Sequence, residues 1–422
     1  MKRKTLYLIL LALSGGIIYQ LPFMRLMFYR PLIKAMELSD GQYGVISSAY
    51  GLSAVIAYFF GGYVADRYSP KNLLSISLIS TGIIGVYLST FPSYAINLIL
   101  HILLGITTVL TYWAPMIKLV GLLGDSDEQG RLYGSIEGGR GITSAVAGFI
   151  VLQIYKIFGE SALSVGYIIN FYSIASVLCG ILILYFFKNE KISVNEKKVE
   201  KITPKEIGKA LKSKATWYMG IIVFSTYVIF SAQGYLSPYL QDVYGLGIEM
   251  TIFLGIIRTY IFQFLGGPFG GFLADKKLKS SSKFVKIGFI SIGLLLLVFL
   301  FAPLSKEFLG VIVVAMLLIS LLVYSMRGVY WAIIDEMEVK EEKRGTVIGV
   351  ASFIGFSPDI FLPALVGNWL DKYPGSQGYS YMFIFMLGMI IIGIIFAYKT
   401  INLIRKERNM NIRELKTIPD SI

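Results

Sequence analysis

Cysteine and histidine are almost absent from this chain, which has one of each among its 422 residues. The lone Cys179 cannot form a disulfide within the chain, and neither a cysteine cluster nor a histidine-based metal site can be built from this composition. We therefore expect no metal and no cofactor. Cys179 lies in an apolar stretch, where a small buried residue is the simplest interpretation. His101 also lies in an apolar run and is expected to be a hydrogen-bonded polar residue.

Charged residues are scarce as well, at 15% of the chain against roughly 25% in a soluble domain. Hydrophobic residues make up 55%, mostly in long runs. An apolar run of about 18 residues or more is typical of a membrane-spanning helix. The sequence predicts an all-α membrane protein with twelve such spans, numbered here in chain order. Their approximate bounds are 5–29, 42–63, 72–91, 94–117, 130–156, 162–187, 215–240, 248–273, 284–304, 308–334, 345–370 and 378–402.

The formal net charge of +13 would suit nucleic-acid binding, but the positions of the basic residues argue against it. Most of the 39 Lys and Arg residues fall on one side of the membrane if the N-terminus is cytoplasmic. Five lie in loops on the other side: Arg30, Lys34, Lys156, Lys306 and Lys372. This positive-inside bias predicts cytoplasmic N- and C-termini, and a lipid bilayer rather than nucleic acid as the partner. We expect the membrane to be a bacterial inner membrane.

Two short patterns occur twice, once in each half of the chain. Residues 61–67, GGYVADR, return at 270–276 as GGFLADK, each time where an apolar run meets a basic stretch. The tripeptide Tyr-Trp-Ala occurs in span four at 112–114 and in span ten at 330–332. Repeats in the same order predict two related halves of six helices each.

A long polar segment separates the predicted halves. We expect an N-terminal half at 1–187, a linker at 188–214, a C-terminal half at 215–402 and a basic cytoplasmic tail at 403–422. The linker carries nine lysines and a Thr-Pro-Lys-Glu sequence typical of a helix start. It is therefore expected to contain a short helix on the inner membrane surface. The alternative is a disordered basic tether.

Two halves of six spans, a long middle loop and Gly-x-x-x-Asp-Arg/Lys after spans two and eight resemble the major facilitator superfamily. The first copy matches the family's loop pattern at four positions: Gly62, Asp66, Arg67 and Lys71. The second copy keeps three: Gly271, Asp275 and Lys276. The first copy departs from the family at Ser69 and Pro70. The resemblance implies a transporter, not an enzyme, and says little about the substrate because one scaffold serves many solutes.

The same resemblance implies that these loop residues form a cytoplasmic gate. In the superfamily the acid after span two faces the start of span eleven, which is near Gly345 in this chain. A carboxylate is favoured there by the partial positive charge of a helix N-terminus. Asp275 would do the same at the start of span five. The alternative is that both acids are ordinary solvated loop charges.

Arginine is found at unusual depth in the predicted spans. Four candidates for substrate contact lie within spans: Arg25, Arg140, Arg258 and Arg327. A charge in hydrocarbon costs at least a few kcal/mol, so each must face a cavity or a partner. Few acids lie at the same depth, and a surplus of guanidinium favours an anionic ligand, since its donor fork suits carboxylate and phosphate. Structural pairing stays open, because Glu137 and Arg140 can bridge each other on one helix.

Aromatic and amide side chains on these spans are candidates for the same cavity wall. They are Tyr19, Gln20, Tyr112, Trp113, Tyr227, Gln233, Tyr235 and Trp331. They could equally pack helices together or anchor the membrane interface. Span five also has four glycines between 134 and 141, which permit close approach of another backbone or a ligand.

Glu137 and Asp359 are also the candidates for proton coupling, because a carboxyl group in a cavity can load and release a proton. Asp359 follows Pro358, which removes a helix hydrogen bond and loosens the turn. The alternative for Asp359 is a structural role, in which its carboxylate satisfies backbone groups at the kink.

The sequence as a whole predicts a monomeric secondary active transporter for a small organic anion: a sugar acid, a sugar phosphate or a carboxylate. Coupling would be to protons or to a counter-substrate, because the chain has no phosphate-binding Gly-Lys-Ser/Thr loop for ATP. Two alternatives stay open. The first is a transporter of a neutral sugar or drug-like solute with structural arginines, and the second is a membrane sensor or receptor with a transporter fold.

Overall fold

A computed structural model describes residues 2–124, 128–187, 204–339 and 341–416, and in these ranges the secondary structure is helical throughout. The first nine helices are α1 (Lys2–Ile17), α2 (Gln20–Phe23), α3 (Arg25–Met36), α4 (Asp40–Arg67), α5 (Pro70–Leu88), α6 (Tyr94–Gly105), α7 (Ala114–Gly121), α8 (Gln129–Phe158) and α9 (Ala162–Phe186). The others are α10 (Pro204–Leu211), α11 (Lys214–Ala232), α12 (Leu236–Tyr244), α13 (Ile248–Ile256), α14 (Phe262–Phe272), α15 (Ser281–Phe301), α16 (Leu309–Val329), α17 (Ile333–Glu336), α18 (Glu341–Phe356), α19 (Pro358–Lys372) and α20 (Ser376–Lys416).

Eleven helical stretches in the described residues are long and apolar enough to cross a membrane. A further stretch, Asp40–Tyr58 followed by Phe60–Arg67, is bent by 56° and brings the number to twelve if it is one span. Its start is set by a capping box, in which the Ser39 hydroxyl accepts from the Gln42 amide at 3.2 Å and the Gln42 side chain accepts from the Ser39 amide at 3.0 Å.

Span one is not the single continuous helix expected at 5–29. It is interrupted between α1 and α2 and again at Met24, and α3 carries it on to Met36. Two prolines loosen this span, because proline has no N–H to donate to the preceding turn. Pro22 lies in α2, four residues after Ile18 in the first break, and Pro31 lies in α3, three residues after Phe28, which has non-helical dihedral angles.

Several other spans contain turns that depart from α-helical geometry. Both copies of Tyr-Trp-Ala lie in or beside such turns, a π-helical segment at Ile106–Trp113 and a 3₁₀ turn at Tyr330–Ala332. Span seven has a 3₁₀ turn at Gln233–Tyr235, and span eight has a π-helical turn at Ile257–Ile261. Departures of this kind are common at functional sites because they expose backbone groups and re-aim side chains.

The predicted linker lies partly outside the described residues, from 188 to 203. The short helix expected within it is present as α10, which begins at the proline that the capping pattern marks. Part of the predicted basic tail at 403–422 is helical. The last helix, α20, continues through Lys416, since the sequence has no Gly or Pro between 403 and 416 to end it.

At one end of the bundle, α4 and α19 from different halves pack at backbone distance. A Cβ atom at Gly44 would lie 2.3 Å from the Pro363 carbonyl oxygen, and one at Gly367 would lie 2.2 Å from that of Asp40. Glycine is required at both positions because no side chain fits between the helices. We call this the closed end of the bundle, and the other end, where Asp66 and Lys118 lie, the open end.

A carboxylate from one half caps a helix of the other half at the closed end. Asp371, at the end of α19, accepts from the backbone N–H groups of Asp40 at 2.9 Å and Gly41 at 2.8 Å. It also accepts from the Ser39 hydroxyl at 2.6 Å. These donors belong to the start of α4, where free N–H groups and partial positive charge favour an anion.

Arg30 makes a second connection between the halves at the closed end. Its Nη1 donates to Asp40 at 2.9 Å in its own half, and its Nε donates to both carboxylate oxygens of Asp242 at 3.1 Å in the other. The Tyr379 hydroxyl donates to Asp242 at 2.6 Å. The guanidinium thus pairs with one acid in each half.

The halves separate toward the open end around a cavity of about 1640 Å³. Gly62 and Asp66 border its mouth from one half, and Thr346 and Gly349 border it from the other. Among the described residues, the ion pairs at this end each join residues of one half: Lys4–Glu128, Lys118–Asp66 and Arg344–Asp335. The bundle is thus closed at one end and open at the other.

We expect Asp371→Ala to shift the protein toward a state with this end open. The change removes a helix cap worth roughly 1–2 kcal/mol, which is about tenfold in a two-state population. Spin labels at Thr90 and Glu307, on opposite halves of the closed end in a Cys179→Ser background, should report a longer distance.

Glu160→Ala is the matched control, since Glu160 lies at the same end and forms no ion pair with a described residue. That variant should leave the distance between the labels unchanged. An unchanged distance in Asp371→Ala would show that the capping carboxylate does not hold this end closed.

Candidate functional site

The cavity between the halves is the candidate site, because predicted residues from both halves meet on its wall. Four charged side chains line it in the described residues: Asp66, Glu137, Arg140 and Arg327. Five aromatic and amide side chains from the sequence candidates also line it: Tyr19, Gln20, Trp113, Tyr227 and Trp331. The described residues contain no cluster of three or more His, Cys, Asp and Glu that could hold a metal ion.

Arg140 on α8 is held from three directions. Its Nη1 donates to Glu137 at 2.5 Å, and its Nε donates to the Gly15 carbonyl oxygen at 3.2 Å. The guanidinium carbon lies 5.1 Å from the Trp113 ring and 5.5 Å from the Tyr19 ring, within cation–π range. The Arg140 side chain is 10% exposed, whereas the Glu137 side chain on the cavity wall is 51% exposed.

The break after α1 explains why Arg140 finds a backbone partner. Carbonyl groups in the last turn of a helix have no intrahelical donor, so those of Gly15 and Gly16 are free to accept from α8. Ser144 donates to the Gly16 carbonyl oxygen at 2.9 Å, beside the bond from Arg140 to Gly15. Glycine lets the helices approach, since a Cβ at Gly16 would lie 2.6 Å from Thr143.

Arg327 on α16 faces the cavity from the other half. Its guanidinium carbon lies 3.8 Å from the Phe230 ring centre, 5.8 Å from Tyr227 and 5.7 Å from Tyr324. Tyr330 also lies beside it and lines the same cavity. No carboxylate among the described residues forms an ion pair with it. Arg327 therefore presents a positive charge to the cavity that no described acid neutralises.

Asp359 lies behind the cavity wall and joins the halves. It accepts from the Ser231 hydroxyl at 2.5 Å and from the Tyr227 hydroxyl at 2.9 Å. Arg25 of the other half lies 3.6 Å from the same carboxylate, and both side chains are buried. Tyr227 lines the cavity, so this ion pair is one side chain away from the wall beside Arg327.

Arg258 is not on the cavity wall, where it was expected. It is fully buried and its Nη2 donates to the Leu26 carbonyl oxygen at 2.5 Å, while its Nη1 donates to that of Gln233. Both carbonyl groups lie at helix interruptions, where backbone oxygens can accept a further hydrogen bond. Arg25 also lies away from the cavity wall, and its guanidinium faces Ser231 and Asp359.

Three further candidates also lie away from the wall. The Tyr112 hydroxyl pairs with that of Ser14 at 2.8 Å inside the first half. Gln233 and Tyr235 are in the 3₁₀ turn of span seven, and the Tyr235 hydroxyl donates to the Pro363 carbonyl oxygen at 2.8 Å. The Tyr112 and Tyr235 hydroxyls thus link interrupted helices to their neighbours, a role that helical spacing alone does not reveal.

The expected gate residues lie at the open end, and their contacts differ from the expectation. Asp66 accepts from Lys118 at 2.9 Å within its own half, and a Cβ at Gly345 would meet nothing within 4 Å. The physical reason is the separation of the halves at the cavity mouth. Asp275 is exposed and forms no ion pair in the described part of the chain. Other gate candidates at this end are Arg67, Lys71, Gly271 and Lys276.

Several wall residues were missed by sequence reasoning. They include Tyr58, Phe230, Tyr260, Gln263, Tyr324 and Tyr330. A signal was present in span ten, where Tyr324, Arg327 and Trp331 are spaced three and four residues apart and share a helix face. Tyr260 gave no such signal, because its hydroxyl donates to Gln20 of the other half and only the packed halves bring the two together.

Comparisons with known proteins agree with this architecture. Residues 5–363 match the family model of the Major Facilitator Superfamily. Inner membrane protein YihN of Escherichia coli (strain K12) is 35% identical over 387 residues, which are 90% of this chain and 91% of YihN. Inner membrane protein YqcE of the same strain is 30% identical over 401 residues, 94% of each chain. The hexuronate transporter of Bacillus subtilis (strain 168) is 25% identical over 395 residues, 88% of this chain and 89% of that protein.

Among solved structures, the fold is similar to that of a bacterial homologue of the human lysosomal transporter Spinster. The two align with a TM-score of 0.74 at 13% identity, covering 96% of this chain and 97% of the other. At this identity the likeness concerns the fold alone.

We expect Gly16→Ala to destabilise the protein by displacing the backbone that supports Arg140. The added Cβ would lie 2.6 Å from Thr143 and 2.9 Å from the Arg140 carbonyl oxygen, and overpacking of this kind costs roughly 1–3 kcal/mol. Gly134→Ala on α8 is the control, since a Cβ there meets nothing within 4 Å. Thermal unfolding in detergent should give a lower Tm for the first variant alone, and equal Tm values would contradict the packing described.

Proposed function

The chain belongs to the Major Facilitator Superfamily and is a multi-pass transporter of the bacterial inner membrane, and on that premise we propose that its substrate is a small organic anion. The classes considered are sugar acids, sugar phosphates and other carboxylates. The observation that carries the proposal is Arg327, a guanidinium on the cavity wall with no described carboxylate partner.

An anion suits this wall for electrostatic reasons. A guanidinium left without a counter-charge at membrane depth is costly, and a carboxylate or phosphate can accept two parallel hydrogen bonds from it. Phe230, Tyr227 and Tyr324 surround Arg327 and limit the water that competes for its donors. Arg140 is the second contact, from the opposite half, with Trp113 beside it. The hexuronate transporter among the relatives supports an anionic substrate.

Alternating access is the proposed mechanism. With both termini cytoplasmic, as the basic residues indicate, the open end faces the cytoplasm and the closed end faces outward. Rocking of the halves would break the contacts of Asp371 and Arg30 and bring the start of α18 toward Asp66. The same carboxylate-to-helix-start contact would then close the cytoplasmic side. One chain holds both halves, so a monomer suffices.

Proton coupling is proposed at Asp359. Its carboxylate binds Arg25 of the other half and is linked through Tyr227 to the cavity. Protonation would remove the charge that attracts Arg25 and so loosen a contact between the halves. Glu137, the other candidate, faces the cavity and is already paired with Arg140. Asp359 is favoured because protonation of its carboxylate changes a contact that must break when the halves rock.

We expect Arg327→Ala to weaken anion binding by about tenfold to a hundredfold, the worth of hydrogen bonds to a charged group. Arg327→Lys keeps the charge but loses the planar fork and should bind with intermediate affinity. Isothermal titration of the purified protein with gluconate, glucuronate and succinate measures this. Arg405→Ala, an exposed guanidinium outside the cavity, is the control. Undiminished affinity in Arg327→Ala for every anion bound by the wild type would remove Arg327 as the ligand and favour a neutral substrate.

We expect Asp359→Asn to abolish proton-driven accumulation while exchange of bound substrate continues. Uptake into proteoliposomes, measured with and without a pH gradient, separates the two. Because the change leaves Arg25 without its acid, Tyr227→Phe serves as a milder second variant that removes one hydrogen bond and should shift the pH profile. Glu137→Gln, measured alongside, should retain coupling. Full proton-driven accumulation in Asp359→Asn would place the coupling site elsewhere.

A further inference from the structure

The charges on the cavity wall do not balance. Asp66 stands at the mouth and is bound to Lys118. Deeper in the cavity, Arg140 is paired with Glu137 at 2.5 Å, whereas Arg327 forms no ion pair with a described carboxylate. No other charged side chain lines the cavity in the described part of the chain. The deep wall therefore carries one net positive charge, on Arg327.

The two arginines also differ in how a ligand can reach them. The Arg140 side chain is 10% exposed and already donates to Glu137 and to the Gly15 carbonyl oxygen. The Glu137 side chain is 51% exposed and so meets the cavity more fully than the arginine it pairs with. A ligand between the halves therefore meets an unneutralised guanidinium on one side and a carboxylate on the other.

We propose that Glu137 makes this site selective for monoanions that carry hydroxyl groups. The inference rests on the proposed function, in which Arg327 binds the anionic group of the substrate. One negative group satisfies Arg327. A second could reach only Arg140, whose charge the carboxylate of Glu137 already neutralises, and like charges repel most strongly where water is limited.

Glu137 also determines which neutral groups are favoured. An ionised carboxylate only accepts hydrogen bonds, so it binds a hydroxyl donor and rejects a second carboxylate. A phosphate monoester carries a charge of about −1.5 to −2 at neutral pH, which disfavours sugar phosphates for the same reason as dicarboxylates. Of the three substrate classes considered, hydroxylated monocarboxylates remain.

Sorbitol, gluconate and glucarate test the inference, because they share an open six-carbon chain and carry no, one and two carboxylates. In the wild type, gluconate should bind at least about tenfold more tightly than sorbitol or glucarate. Glu137→Gln gives the deep wall two positive charges, so the ratio of glucarate to gluconate affinity should rise by about tenfold or more. Glucose, glucuronate and glucose 6-phosphate repeat the comparison on a ring skeleton.

A double variant separates charge from packing. In Glu137→Gln/Arg140→Gln the wall again carries one positive charge, and the preference for gluconate should return. Glu160→Gln, an acid outside the cavity, should leave every ratio unchanged. Each variant is compared as a monodisperse species after size-exclusion chromatography, so that loss of folding is not read as loss of selectivity.

Failure of this inference is distinguishable from failure of the proposed function. An unchanged glucarate-to-gluconate ratio in Glu137→Gln, with both affinities lost in Arg327→Ala, overturns the selectivity and leaves anion transport standing. A wild type that prefers the dianion in either series, or binds no compound of either series, also overturns the selectivity. If sorbitol binds as tightly as gluconate, and Arg327→Ala changes neither affinity, both the selectivity and the proposed anion transport are overturned.

Discussion

A guanidinium cannot remain uncompensated in the apolar part of a membrane, and this constraint organises the interior of the protein. Arg258 donates to carbonyl groups at two helix interruptions, Arg25 faces an acid of the opposite half, and Arg140 is paired on its own helix. Arg327 differs from all three, because aromatic rings surround it on the cavity wall and neither an acid nor a backbone carbonyl group in the described residues accepts from it. A counter-charge for Arg327 must therefore come from the cavity.

The same constraint ties the cavity to the contacts between the halves. Tyr227 packs near Arg327 and donates to Asp359, which in turn faces Arg25 across the boundary. One side chain, Tyr227, therefore separates Arg327 from an ion pair that joins the halves. At the closed end, glycine packing and the Asp371 cap hold α4 against α19, while the described ion pairs at the open end stay within one half. A change in charge at the cavity can thus affect the ion pair between Arg25 and Asp359, which must break when the halves rock.

Much of the fold could be predicted from the sequence, because apolar runs, the distribution of basic residues and internal repeats are all visible in the order of the residues. The pairing of Glu137 with Arg140 could also be anticipated, since three residues separate them on one helix. The sequence could not reveal which arginines reach the cavity. Arg258 faces away because interruptions near Leu26 and Gln233 turn carbonyl groups toward it, and those breaks lie in other spans. The cap from Asp371 onto α4 joins residues some 330 positions apart and leaves no local pattern.

We expect an anionic group to occupy the space beside Arg327. A structure of the protein with the tightest-binding monoanion, at a resolution that defines its carboxylate, is the decisive measurement. Carboxylate oxygens should lie about 2.7–2.9 Å from the Arg327 guanidinium nitrogens, with hydroxyl groups toward Glu137. Density for the anion against Arg25 or Arg258 instead, with the Arg327 guanidinium left unoccupied, would contradict this expectation.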